Sequence, residues 1–275
     1  MNRKTSIFLF GSLLLTCTSV FAATIIHIDV TDLSNPNSQA DKRIGYIQDG
    51  KMSIRSKIAG KDTDLLFSEA SSAITVINHR DRTFMLLDEK TVEEFMSGTM
   101  QTINRVQEQL SPLLEGLSPE QRAQIESILG GAVQPPKKTQ DIPGKYIKTN
   151  STLKVSGIPC QITRLVKAGK PVSELCIAKS KAIKIPSSHL KTLLSMKQTA
   201  IKLASAASPL LERLGAQMPD FGEKSPDGLP LMVTDLSENS RMRMTVKSIT
   251  QGKAPEGSMS VPKGYRPAQL PSFKL

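Results

Sequence analysis

Cys160 and Cys176 are the residues of this chain best placed to do chemistry on one another. Lys167-Ala168-Gly169, between them, can form a three-residue hairpin loop with glycine in the left-handed position. Pairing symmetric about Ala168 sets Val166 against Lys170, Arg164 against Val172 and Cys160 against Cys176. Directly opposed residues lie about 4.5–5.5 Å apart at Cα, within disulfide range, and closing such a loop stabilises a fold by roughly 3 kcal/mol. No Cys-x-x-Cys pair occurs and no histidine neighbours either cysteine, so the bridge is expected to be structural rather than redox-active.

Other reactive residue types are sparse. His27, His79 and His189 lack a second His or Cys at metal-ligand spacing. The chain has no Gly-x-Ser-x-Gly elbow, no His-Glu-x-x-His and no phosphate-binding loop. Ser-x-x-Lys occurs at Ser151–Lys154 and Ser188–Lys191 without the partner motifs, and Asp62-x-Asp64 lacks the rest of a calcium loop. The expectation is therefore no catalytic residue, no metal and no cofactor. Binding chemistry remains. Lys191, Lys202 and Arg213, spaced by eleven, form one basic stripe on a helix, a candidate contact for an anionic surface. Met85, Met96, Met100, Met196, Met232, Met242 and Met244 could line a soft apolar cavity. A solvated face and an ordinary core are the plainer readings of these two features.

Residues 1–22 have the three parts of an export signal. Arg3 and Lys4 are followed by the apolar run Ile7 to Val20, and Val20-Phe21-Ala22 sets small residues for a cut between Ala22 and Ala23. Thr16 before Cys17 argues against a lipoprotein site. Cleavage leaves two cysteines, an even count suited to an oxidising compartment, periplasmic or further out. Charge is uneven: residues 23–140 carry 13 basic and 16 acidic side chains, residues 141–275 carry 21 and 9. Outside the cytoplasm such a basic half favours anionic lipid or an acidic envelope surface over nucleic acid.

These residues need positioning by an α+β frame. Ile26, Ile28 and Val30 alternate as in a half-buried strand, and residues 43–48 and 51–56 flank Asp49-Gly50, a strong hairpin signal. Residues 63–68, 73–78 and 83–88 complete six strands. A helix stripe follows at positions 92, 96, 103, 106, 110, 113 and 117, with Thr99 in the remaining slot. Ser111-Pro112 reads as a fresh helix start, and a short helix is expected from Ser118-Pro119-Glu120 to Gly130-Gly131. Residues 134–148, rich in Pro and Lys, read as a linker. Strands at 152–156, 159–166 and 171–178 precede a second helix from Ser187 or Ser188 towards Met218, with Ser208-Pro209 as another restart. The helical excursions thus span about 89–131 and 187–218. Gln101-Thr102 and Ser111-Pro112-Leu113-Leu114-Glu115 recur as Gln198-Thr199 and Ser208-Pro209-Leu210-Leu211-Glu212 at equal spacing, either a duplication or convergence. Strands at 229–236 and 240–249 close the chain. The expectation for residues 23–275 is a single domain: about eleven strands in one curved antiparallel sheet, half-barrel-like, with helices over its concave face.

Gly157-Ile158-Pro159-Cys160, a turn and Val172-Ser173-Glu174-Leu175-Cys176-Ile177-Ala178 resemble the Gly-x-x-Cys hairpin of a secreted bacterial family of unknown function. Gly228-Leu229-Pro230-Leu231 and Val261-Pro262-Lys263-Gly264-Tyr265 resemble its closing section. Cys176 stands where that family would place an aromatic residue, which makes the bridge a feature of this chain. The family's layout is similar to the envelope lipoprotein carriers, whose half-barrels hold acyl chains; the resemblance implies a fold and no catalytic residues. The functional expectation is a non-enzymatic exported envelope protein binding an apolar or amphipathic, lipid-like ligand. The alternative is an interaction protein with a packed core and no small ligand.

Overall fold

Alternating apolar and polar side chains pair into antiparallel ladders from Ala23 onward. The computed structural model describes residues 22–35, 37–58, 61–115, 117–118, 121, 144–213, 226–236 and 241–268. Strands β1 (Ala23–Asp32), β2 (Asp41–Gln48), β3 (Lys51–Ile58), β4 (Lys61–Ser68), β5 (Ala73–Asn78) and β6 (Thr83–Leu87) lead to helix α1 (Glu89–Glu115). Strands β7 (Lys145–Val155), β8 (Ile158–Lys167) and β9 (Lys170–Ala178) follow, then a 3-10 turn at Ser180–Ala182 and helix α2 (Ser187–Arg213). Strands β10 (Leu229–Asp235), β11 (Met242–Gly252) and β12 (Arg266–Pro267) end the described chain. Apart from Ala22, the proposed export signal lies outside the described residues.

All strands join one open, curved sheet in the order β12-β6-β5-β4-β3-β2-β1-β11-β10-β9-β8-β7. Strand β1 sits in its middle, between β2 and β11, so the first and last thirds of the chain meet there. The curvature is visible at Ser156, whose Oγ donates to Val246 O over 2.6 Å. Strands β9 and β10 intervene between β8 and β11, and a flat sheet would hold β8 roughly 14 Å from β11.

The eleven expected strands are present, and a twelfth corrects the count. Two residues give no periodicity to read; β12 is held parallel to β6 by Arg266 N–H donating to Arg82 O (3.0 Å) and Ala268 N–H to Phe84 O (2.7 Å). The linker expected over 134–148 is corrected at its end, because β7 already begins at Lys145. Its ladder breaks between Lys148 and Thr152, where the Gln161 amide donates to Thr149 O (2.5 Å) and Ser151 O (2.8 Å). Both expected helix restarts are corrected too. Helix α1 continues through Pro112 and α2 past residue 209, since proline's fixed φ fits a helix and costs it one hydrogen bond. Asp88 starts α1 as N-cap, accepting the Thr91 N–H over 2.7 Å; that contact with Thr91 draws its carboxyl below the ordinary range. Ser118 and Gln121 exchange the two hydrogen bonds of a capping box, as expected of a helix start there.

Two apolar clusters hold the helices. Leu190, Leu193, Leu194 and Met196 of α2 pack on the sheet with Ile47, Met52 and Phe67. Val92, Met96, Met100 and Ile103 of α1 pack with Leu203, Ala206 and Ala207 of α2. The first part of the stripe expected on α1, Val92, Met96 and Ile103, therefore packs against α2, and Thr99 is buried with it.

The β8–β9 hairpin bridges the expected cysteines through a different register. Its turn is the two-residue Ala168-Gly169, both at positive φ (51° and 76°), with Lys167 opposite Lys170. A bulge between Leu165 and Val166 shifts the pairing once more. Cys176 consequently faces Ile162, and the Cys160–Cys176 disulfide runs diagonally, with Cα atoms 5.2 Å apart. The net slip of two residues preserves which face each side chain occupies, and the bridge survives it.

Candidate functional site: a half-buried apolar row

Cross-strand partners share a face, so register sorts the side chains of β2 to β6 into rows. The first row runs Ile47, Met52, Phe67, Ile74 and Leu87. Ile47, Met52 and Phe67 are almost fully buried, beneath α2. One step along each strand, Gly45, Ile54, Leu65, Val76 and Met85 stand opposite one another in a second row, of which the last four are only half-buried. The third row is polar: Ser56, Thr63, Asn78 and Thr83. An apolar strip four strands wide thus lies between a packed row and a polar row, of which Ser56 and Thr63 are themselves buried. Such a strip can take an alkyl chain lengthwise, with the partly exposed Asn78 and Thr83 beside it for a polar end.

A second feature opens at the start of α2, a cleft of roughly 410 Å³ with Leu190 and Leu194 on its apolar side and Glu69, Lys191, Ser195 and Gln198 on its polar side. Lys191 Nζ lies 2.5 Å from Glu69 Oε1, and Thr192 Oγ1 donates to Glu69 Oε2 over 3.2 Å. The hydrogen bond from Lys191 holds the Glu69 carboxyl below its ordinary range. Among the described residues no group of His, Cys, Asp and Glu could hold a metal ion, and no described helix is long and apolar enough to cross a membrane.

No family model matches the chain. No curated protein matches it either. Among solved structures it is similar to PNGF-II, at 9% identity and a TM-score of 0.39, over 90% of this chain and 30% of that one. It is similar to an uncharacterized conserved protein from Thermus thermophilus, at 7% identity and a TM-score of 0.38, over 90% and 91% of the two chains. It is also similar to the MucA/MucB complex of Pseudomonas aeruginosa, at 8% identity and a TM-score of 0.32, over 87% of this chain and 55% of that one. The chain spans less than a third of the PNGF-II chain.

The residues singled out in the sequence do not form one site. Lys191 is neutralised by Glu69, Lys202 is exposed, and Arg213 ends α2 with its side chain outside the described residues. The methionines scatter as well. Met96 and Met232 are buried in separate clusters, Met85 lies in the half-buried row, and Met242 is exposed on β11. His27 is exposed. His189 is buried at the start of α2, its Nδ1 2.8 Å from Thr24 Oγ1.

Burial lowers the His189 pKa below its ordinary 6.5, against a weaker opposing pull from Asp49. The unfolded chain therefore binds this proton first. The stability contributed by neutral His189 is complete above the unfolded value and is lost as pH falls below it towards the folded value. His189→Gln is expected to flatten the slope of the urea midpoint on the acid side of about pH 6.5, where the unfolded chain takes up the proton before the folded one, and to leave it unchanged above that value. Equal slopes for the two proteins would remove this reading.

One cluster escaped the sequence. His79 Nε2 stands 3.0 Å from Asp64 Oδ2, though off the line of a well-aligned hydrogen bond, and His79 Nδ1 is 3.0 Å from the Tyr265 hydroxyl. The Arg82 guanidinium lies 5.9 Å from the Tyr265 ring centre. These contacts fasten the Val-Pro-Lys-Gly-Tyr segment to the β5–β6 turn and explain what its tyrosine does. His79 and Tyr265 are 186 positions apart, with no local pattern to join them.

Proposed function

We propose that this chain is a non-enzymatic, exported envelope protein that binds an apolar or amphipathic, lipid-like ligand along the row Ile54, Leu65, Val76 and Met85. The observation that carries this reading is the half-burial of that row beside the fully packed row Ile47, Met52 and Phe67. A sheet that needed only a core would close both rows, because each buried aliphatic side chain contributes about 1.5–3 kcal/mol. Helix α2 packs over Ile47, Met52 and Phe67, and on this reading the strip beside it serves as the trough. The Cys160–Cys176 disulfide supports a compartment outside the reducing cytoplasm. The basic second half, with Lys202 in the lead, turns the loaded protein towards an anionic membrane surface.

The test is ligand uptake. The purified chain, stripped of lipid, is expected to take up a fluorescent fatty-acyl probe at about one per chain, and native mass spectrometry should show bound lipid before stripping. Val76→Glu, which sets a charge in the strip, should weaken uptake by at least tenfold, on the order of 1.4 kcal/mol or more. A chain that is ligand-free when isolated and takes up no acyl probe would sink the proposal and leave an interaction protein with a packed core.

A further inference from the structure

We propose that the outer edge of β7 accepts an extended acidic segment of a partner protein as an added strand. Strand β7 ends the sheet, and among the described residues it pairs on one side only, with β8. Away from Tyr146, which is already engaged, and from the break between Lys148 and Thr152, this edge strand carries backbone donors and acceptors that another backbone can satisfy. The opposite edge differs: β12 and the His79–Tyr265 contact cover β6.

The side chains of β7 select the occupant. Ile147 and Leu153, 52% and 46% exposed, are the two most exposed large apolar residues described. Register sets Ile147 beside Arg164 and Leu153 beside Cys160, on one face of the sheet. Lys148 and Lys154 pair with Thr163 and Pro159 on the other face. Each lysine is exposed and has no ion-pair partner among the described residues. Residues 145–178 carry six basic side chains and one acidic, and that acid, Glu174, is paired with Arg164 at 3.0 Å. A strand laid against β7 with carboxylates on the lysine face and aliphatic residues on the other meets both demands in one register.

The same pattern rejects the competing occupants. Antiparallel pairing of two copies through β7 would lay one row of exposed lysines along another, and the register that opposes Lys148 to Lys154 sets like charges directly against each other, the device by which natural edges avoid self-association. A lipid surface could meet the charges and the apolar side chains but offers no backbone to the edge. The proposal does not depend on the half-buried row, which lies on the far part of the sheet.

The experiment uses the full purified chain and a blocked peptide of about ten residues alternating Glu and Val, a strand-forming composition. Hydrogen exchange with and without peptide is expected to slow at alternate amides of β7 by at least about tenfold, with no change at residues 54, 65, 76 and 85. The peptide with Lys in place of Glu should bind at least about tenfold more weakly. The double substitution Lys148→Glu and Lys154→Glu should invert that preference; if it fails to fold, the two peptides on the unsubstituted chain give the same reading. Equal binding of both peptides, protection elsewhere than β7, dimerisation through β7, or equal protection of β7 by phosphatidylglycerol vesicles would each overturn the proposal.

Discussion

Gly228→Ala is expected to lower stability by roughly 2–6 kcal/mol, the sum of a strained backbone and an overpacked contact. Gly228 has φ +114°, and a Cβ added there would lie 2.3 Å from Ala178 O and 3.0 Å from Ile177 Cγ2. The obstacle at Ala178 is backbone within the sheet, so β10 itself would have to move. The start of β10 is fixed on two sides. Leu229 pairs with Ala178, and Lys197 of α2 donates to Pro226 O (2.9 Å) and Gly228 O (3.3 Å). Burial lowers the Lys197 pKa, against an opposing pull from Asp227, so shifting these carbonyls would also strip a desolvated ammonium of its acceptors. Gly169 is the control. It too has positive φ, +76°, but nothing lies within 4 Å of its added Cβ, so Gly169→Ala should cost only about 1–2 kcal/mol. Urea unfolding of the two variants decides: equal midpoints would mean that the contact with Ala178 does not constrain β10. The Gly-Leu-Pro-Leu run thus acquires a physical reason. Glycine allows the close approach, and the ladder with β9 is irregular between Pro230 and Met232, next to the residue that cannot donate.

What the sequence discloses is local, and what it hides is distant. Ile26, Ile28 and Val30 alternate because one face of β1 is buried, and all three are buried as read. Asp49-Gly50 forms its turn with φ of 50° and 70°, the pair of positive values that a type I′ hairpin needs. The stripe through Val92, Met96 and Thr99 is a seam because it meets α2. Register beyond a turn is less legible. Ala168 takes a left-handed φ of 51°, a cost alanine usually avoids, so a loop with glycine alone in that position is the natural reading. The half-buried row cannot be read at all. Ile54, Leu65, Val76 and Met85 look like any inward residues, and what separates them from Met52 and Phe67 is where α2 lies. Proline misleads in both helices for a related reason: a helix start and a tolerated interior proline share the same φ.

Loss of the Cys160–Cys176 bridge is expected to cost about 3 kcal/mol, from chain entropy at a sequence separation of 16. For a chain of this size that corresponds to a fall of roughly 6–12 °C in Tm. Two mechanisms could produce the loss, and they separate cleanly. Both cysteines are nearly fully buried in the main apolar cluster, so replacing them could act by removing packed sulfur. Reduction alone keeps both sulfurs in place and releases only the constraint on the unfolded chain. If the constraint dominates, the reduced protein and the double variant Cys160→Ala, Cys176→Ala should unfold at nearly the same urea midpoint, both well below the oxidised protein. If packing dominates, the reduced protein should stay close to the oxidised one and the double variant alone should fall. The constraint is the stronger candidate. The bridge joins diagonal positions of a hairpin already aligned by backbone pairing, so the native state gains few new contacts from it while the unfolded chain loses a loop's worth of freedom. An oxidised protein no more stable than its reduced form would refute this, and would leave the pair as two well-packed thiols whose bond forms because the compartment allows it.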